Sequence, residues 1–292
     1  MRIGIAGSEN SHARIFASLL NLPDGWEGRT VPGAHVTHLL PDSPEQGKAI
    51  ARECSIPNVC KGPEEMTGKV DAVLCLDRRG SRHADQAAPY ISARLPVFID
   101  KPLADDPAKA RAILDTAAQS GSVLCSFSTV PYTRAVRELA ARAERHHPAM
   151  IQVLGHADPD CEYDGLFFYG IHSADILCAL AGTGCLSVMT NAMNGALTLF
   201  CQYENRHTAS INLSPAPCDF EVGLQSAEQF GGFERLDIAD CYAEGLKEII
   251  SILSGKAAPP SPERMLEPVE MIAAARRSLA EGREVPLSEF RS

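Results

Sequence analysis

"RIGIAGSENSHARIFASLL", residues 2–20, is the stretch on which the fold turns. Ile3 and Ile5 alternate with small residues in a run that reads as a β-strand, and Ala13, Phe16, Ala17 and Leu20 then recur at helical spacing. The segment from Gly7 to His12 is therefore a strand-to-helix turn. Such a turn places unpaired backbone N–H groups at a helix N-terminus, where they attract an anion. Its dinucleotide-binding form reads G-x-G-x-x-G, and here Gly7 holds the first place while Glu9 and His12 hold the other two. Two readings stay open from these residues alone. One is a variant phosphate turn in which the backbone and Ser8, Asn10, Ser11 and His12 donate; the other is a turn that binds nothing.

Working outward, the change of period repeats. "AHVTHLL" (34–40), "VDAVLCL" (70–76), "LPVFI" (95–99) and "SVLCSF" (122–127) read as strands. Between them lie helices that announce their own ends. "SPEQGKAIARE" (43–53) has Ser43 as N-cap and Pro44 at its first position, and "DDPAKARAILDTAAQSG" (105–121) has Asp106 as cap, Pro107 in the first turn and Gly121 past the end. Strands alternating with helices predict a doubly wound parallel sheet over residues 1–126. From 127 to 292 the order changes to an α+β domain. A helix over 131–145 precedes a strand, "MIQVLG" (150–155), an Asp- and Pro-rich loop and a helix starting near His172. "ALTLFCQY" and "HTASINL" form a hairpin joined by "ENR", and two terminal helices follow, one carrying the stripe Tyr242, Leu246, Ile249, Ile250 and Leu253 and one over 264–280.

Bulk properties narrow the function. Net charge is −10 and the basic residues are scattered, which excludes the electrostatic footprint of a nucleic-acid-binding protein. No apolar run reaches the roughly 18 residues of a membrane span. Ten cysteines without a CxxC pair, several inside apolar runs, read as buried reduced thiols and point to a cytoplasmic protein. "GHADPDCEYD" (155–164) holds metal-ligand residue types at a spacing that fits no common site, so no metal is expected.

Two further motifs carry chemistry. "FIDKPLADD" (98–106) sets Lys101 directly after a strand, at the carboxyl edge where ligands of open α/β sheets bind. "FFYGIHSADIL" (167–177) sets His172 at a predicted helix start, where the helix dipole favours the neutral imidazole that a proton acceptor needs. Asp42, in "LLPDSP", is the acid expected after the second strand. It favours NAD over NADP by repelling a 2′-phosphate, while the small Ser43 leaves NADP open.

The order of "IGIAG", "VDAVLCLDRRGSRHADQAAPYI", "FIDKPLADD" and "YGIHSADIL", with the ending "AARRSLAEGREVPL", resembles the Gfo/Idh/MocA family (glucose–fructose oxidoreductase, inositol dehydrogenase, rhizopine catabolism) over nearly the whole chain. "GSENSHA" with "FIDKPLA" and "FFYGIH" is similar to a subgroup of short predicted dehydrogenases. The resemblance implies an α/β protein with an N-terminal Rossmann doubly wound parallel sheet. It also implies a C-terminal α+β domain whose open, mainly antiparallel sheet joins copies into a homodimer or homotetramer. The implied activity is NAD(P)-dependent oxidation or reduction of a sugar, cyclitol or related small molecule.

The family's E-K-P maps onto Asp100, Lys101 and Pro102, with the lysine contacting the reacting oxygen. Its D-x-G-x-H maps onto Phe168, Gly170 and His172, so Phe168 stands in place of the acid. Lys101 and His172 are the catalytic pair this implies. Gly7, Ser8, Glu9, Asn10, Ser11, His12, Asp42, Asp77, His83, Asp100, Lys101 and Pro102 are the expected cofactor-binding residues. Two other activities remain in view: a reaction without net redox on tightly held NAD, such as epimerisation or elimination, and a nucleotide-binding or regulatory protein without catalysis.

Overall fold

The computed structural model describes residues 1–204, 208–226 and 230–291. In chain order the first elements are β1 (Arg2–Ala6), α1 (Ser11–Asn21), β2 (His35–Leu40), α2 (Pro44–Glu53), β3 (Asn58–Val59), β4 (Ala72–Cys75), α3 (His83–Ser92), β5 (Val97–Ile99), α4 (Pro107–Ser120) and β6 (Leu124–Ser126). There follow α5 (Arg134–His146), β7 (Met150–His156), α6 (Leu166–Ala181), β8 (Cys185–Met193), β9 (Ala196–Tyr203), β10 (Thr208–Ser214), β11 (Glu221–Gln225) and β12 (Phe230–Arg235). The chain closes with α7 (Cys241–Leu253), α8 (Pro262–Glu281) and β13 (Val285–Pro286).

These elements form two compact units. The first comprises Met1–Ala104, Lys109–Thr129 and Cys241–Pro260; the second comprises Asp105–Ala108, Val130–Asp240 and the chain from Ser261 onward. In the first, six parallel strands run in the order β3-β2-β1-β4-β5-β6. The order reverses beside β1, the topological switch at which open α/β sheets bind ligands outside their carboxyl ends. Ile3, Ile5, Val73, Leu74, Phe98 and Ile99 are fully buried, as strands covered on both faces must be. Gly7 leaves β1 at φ +94, and a Cβ there would stand 3.0 Å from the Leu76 carbonyl carbon and the Asp77 nitrogen. Only glycine serves both demands. Ser43 caps α2 as its sequence predicts, and the Asp106 carboxylate accepts the Ala108 N–H at 2.8 Å. Helix α7 returns to this unit and packs on α1, β5 and β6. It approaches closely at Gly245, where a Cβ would lie 2.5 Å from Thr129.

The second unit is a seven-stranded sheet in the order β12-β11-β7-β10-β9-β8-β13, antiparallel at every pairing except β7 with β10. Helices α6 and α8 pack on one face, and α5 on α6. Along β9, Leu197, Leu199 and Cys201 point into that core, while Phe200 on the opposite face is 48% exposed. The predicted hairpin is β9 with β10; its "ENR" connection falls partly on Asn205 and Arg206, outside the described residues.

Two differences from the sequence reading have physical causes. Strand β8 escapes a period-2 search because its register shifts between Cys185 and Ser187, a bulge that breaks the alternation. Helix α6 begins at Leu166, after Gly165 at φ +60, rather than near His172. It is apolar almost all round, so no amphipathic stripe marks its start. His172 consequently lies in the second turn of the helix and not at its N-terminus.

Candidate active site

Three knots of polar residues gather at the carboxyl edge of the first sheet. The first is the turn after β1. The backbone N–H groups of Ser8 and Glu9 both donate to Asp42 Oδ2, at 2.5 and 2.8 Å. Ser8 Oγ donates to Gln46 Oε1 at 3.1 Å and accepts the Asp42 N–H at 3.0 Å, while Gln46 Nε2 donates to the Ser8 carbonyl at 2.7 Å. Arg78 Nη2 reaches the Glu9 carbonyl at 3.0 Å. The turn thus holds an anion, and the anion is the chain's own carboxylate. That arrangement fits the adenosine end of a dinucleotide, since a carboxylate fixed by two backbone donors is an acceptor for ribose hydroxyls and repels a 2′-phosphate.

The second knot is Asp100. Asn10 is the N-cap of α1, its Oδ1 accepting the His12 N–H at 3.2 Å, and Ser11 begins the helix. Asn10 Nδ2 donates to Asp100 Oδ2 at 2.8 Å, and His12 Nδ1 lies 2.7 Å from the same oxygen. Asp100 Oδ1 accepts the amide of Lys101 at 2.9 Å. His12, a possible phosphate donor in the sequence, turns its Nδ1 to Asp100, and Asn10 caps the helix. Burial works against ionisation of Asp100, but the charge and hydrogen bond of His12, with Lys101 and His83 nearby, hold it down at about 2. Lys101 follows β5 and is 6% exposed. Its burial lowers the ammonium below the ordinary lysine value; Asp100 opposes that and Arg78 adds to it.

The third knot is His83, the fully buried first residue of α3. Its Nδ1 lies 2.7 Å from the Pro102 carbonyl and its Nε2 3.0 Å from the Asp77 carbonyl, so the ring ties the exits of β4 and β5 together. Asp77 accepts the Arg79 N–H at 2.8 Å, with Arg82 Nη1 3.7 Å away.

His172 belongs to the other unit. It is buried among rings, 5.8 Å from Tyr169 and 5.9 Å from Phe220 between centroids. His156 packs on Tyr169 at 4.3 Å, and Phe168 lies between Tyr163 at 5.0 Å and Tyr169 at 4.7 Å. Asp175, one turn after His172, forms an ion pair with Arg264 of α8. Sequence reasoning missed Gln46, Phe220, Tyr242 and Arg264 as supporting residues. Each contacts a residue far away in the chain, and a local pattern carries no trace of that.

Residues 1–128 match the family described as "Oxidoreductase family, NAD-binding Rossmann fold", Gfo/Idh/MocA. Among curated proteins none matches the chain. Solved structures of the same fold include scyllo-inositol dehydrogenase from Lactobacillus casei with bound NAD(H) and scyllo-inositol, at TM-score 0.81 and 14% identity over 99% of each chain. Myo-inositol 2-dehydrogenase from Lactobacillus plantarum aligns at TM-score 0.80 and 12% identity, over 98% of this chain and 99% of that one. An oxidoreductase from Agrobacterium radiobacter in complex with NAD+, L-tartaric acid and magnesium aligns at 0.80 and 14%, over 99% of each chain. At these identities the likeness is one of fold. Among the described residues no helix is long and apolar enough to cross a membrane. Over its first 128 residues the chain is similar to the Gfo/Idh/MocA family of NAD-binding oxidoreductases.

Proposed function

We propose that the protein is an NAD-dependent dehydrogenase acting on a hydroxyl-bearing carbon of a sugar, cyclitol or related small molecule. The oxidoreductase class comes with the family. The polyol class rests on the inositol dehydrogenases among its structural neighbours. When bound, the nicotinamide supplies the acceptor for the hydride that leaves the carbinol carbon. Lys101 faces the oxygen of that carbon and stabilises its developing negative charge. His172 takes the hydroxyl proton, leaving a carbonyl product. Ser8, Glu9 and Asp42 receive the adenosine end, and Asp42 selects NAD.

Lys101 is the observation that supports this most: a lysine buried at the carboxyl end of a strand in an NAD-binding sheet, its ammonium made easier to deprotonate by burial. A proton affinity nearer that of the working pH is what a group exchanging protons with an alkoxide requires. The open face of the second sheet, with Phe200 and Met193 exposed, suits the joining of copies of the chain, which sedimentation would read.

Fluorescence titration of the purified protein tests the reading at its root. NADH is expected to bind below about 1 mM and more tightly than NADPH. Failure of both nucleotides to bind at that concentration would overturn it in favour of a protein without this catalysis. A screen of sugars, cyclitols and hydroxy acids with NAD+ then identifies the substrate. Nucleotide already present in the purified protein, with no net turnover of any of these, would favour epimerisation or elimination.

A further inference from the structure

The turn that lacks two glycines and the motif that carries Asp in place of Glu meet at a single carboxylate. Asp100 has one methylene fewer than a glutamate, and His12 has a ring where the fingerprint has nothing. The two departures meet in space: His12 Nδ1 and Asn10 Nδ2 lie 2.7 and 2.8 Å from Asp100 Oδ2, while the other oxygen takes the Lys101 amide at 2.9 Å. Asp100 is fully buried, and a buried carboxylate is costly without such donors. With both oxygens bonded, its plane is fixed against the backbone from which the Lys101 side chain departs.

His12 is itself clamped. Its ring stacks on Phe16, four residues on, at 5.3 Å and 30°, and meets Tyr242 of α7 edge-on at 5.2 Å. Asn10 accepts the His12 N–H while donating to Asp100, so cap, ring and acid form one closed set of contacts.

We infer that His12 and Asn10 are positioning residues for Lys101, acting through Asp100, so that the cofactor turn also holds the charge beside the reacting lysine. This rests on the role proposed above for Lys101. The charged and titratable groups that face this set are His12, His83, Lys101, Arg78 and, from α7, Tyr242.

The decisive comparison is His12→Phe against His12→Asn. Phenylalanine keeps a ring for Phe16 and Tyr242 but has no N–H, whereas asparagine keeps an N–H donor close to the imidazole Nδ1 and loses the ring. Protein labelled with 13C at aspartate carboxyls and lysine Cε reports both ionisations without any substrate, with signals assigned through Asp100→Asn and Lys101→Met. In His12→Phe the Asp100 midpoint is expected to rise by about one unit or more, the size of effect a lost charge-assisted bond produces. Asp100 stays ionised over the range in which Lys101 titrates, so the Lys101 midpoint should fall only through displacement of the unheld carboxylate, in the direction given by Asp100→Asn and by a smaller amount. His12→Asn should restore most of both shifts.

An unmoved Lys101 midpoint in His12→Phe would overturn the inference. So would the reverse order, with His12→Asn the more perturbed, because ring packing alone would then be the role of His12. NADH titration of the same variants separates the other role: a loss of about tenfold in both with Lys101 unmoved would overturn the inference and assign His12 to the cofactor. If the parent binds no NADH at all, the proposed activity fails, while the two NMR midpoints still decide whether the turn holds Lys101.

Discussion

Lys101 and His172 are held by opposite means. The backbone of Lys101 is pinned by a carboxylate that takes hydrogen bonds from Asn10 and from the Lys101 amide, with His12 Nδ1 2.7 Å from it, and the adjoining Pro102 carbonyl is bonded to His83. His172 is set among Tyr169 and Phe220, with Phe168 and His156 completing the aromatic group around Tyr169. Hydrogen bonds in a buried site fix charge and orientation together. Ring packing fixes position and shape, and leaves charge to be set elsewhere. Substitutions in the first region should therefore strike ionisation and rate, and those in the second should strike substrate fit, apart from the histidine itself.

The largest effect is expected from Lys101→Met. On the role proposed for Lys101 it removes both stabilisation of the alkoxide and a proton-exchanging group, so kcat should fall about 10⁴-fold. NADH affinity should hold nearly constant, and a near-normal kcat would remove Lys101 from the chemistry. His172→Asn is expected to lower kcat by about 10² to 10³-fold, since only proton transfer is lost. Should the two variants prove equally damaging, the contrast between a polar and an aromatic region would fail at its centre.

Asp100 tests the polar region without catalysis. Its carboxyl is held at about 2, below the ordinary carboxylate range. A depressed acid stabilises the fold above its unfolded value and loses that contribution as pH falls toward the folded one. Asp100→Asn should therefore be less stable than the parent by about 2 kcal/mol at neutral pH, with the gap closing between about pH 4 and 2. Urea unfolding at a series of pH values measures it, and a gap that stays constant into acid would place the cost in packing. Asp42→Ser is gentler. It frees the Ser8 and Glu9 N–H groups for a 2′-phosphate and should move the NADPH-to-NADH affinity ratio about tenfold toward NADPH, or roughly 1.4 kcal/mol.

What could be read from the sequence follows the reach of each interaction. The β1 to α1 turn is legible because the hydrophobic period changes within ten residues, and Ser43 and Asp106 are legible because a cap acts on N–H groups two or three positions ahead. The return of α7 to the first unit is invisible, since it depends on Gly245 meeting Thr129. The bulge in β8 and the uniformly apolar α6 defeat period counting for the reasons already given. Among the candidate residues, Gly7, Lys101 and His172 stand out through motifs. The contacts of Asp42 with the turn and of His12 with Asp100 span more than thirty and more than eighty residues, and no local pattern records them.

Phe168 carries the smallest prediction and the sharpest reading of the aromatic region. If it merely marked a lost proton relay, Phe168→Asp would restore an acid near His172 and raise kcat. Its ring, however, packs on Tyr163 and Tyr169, and Tyr169 in turn packs on His156 and His172. Removing it takes one wall from this group, at a cost of about 0.5 to 1.5 kcal/mol for each aromatic pair. The expected outcome is therefore a KM raised severalfold for the best substrate of the screen, with kcat unchanged or lower. Phe168→Leu should show the same rise in weaker form. A kcat that climbs in Phe168→Asp while Phe168→Leu stays flat would return the position to proton transfer, and the aromatic group would then have replaced an acid without taking over a task of its own.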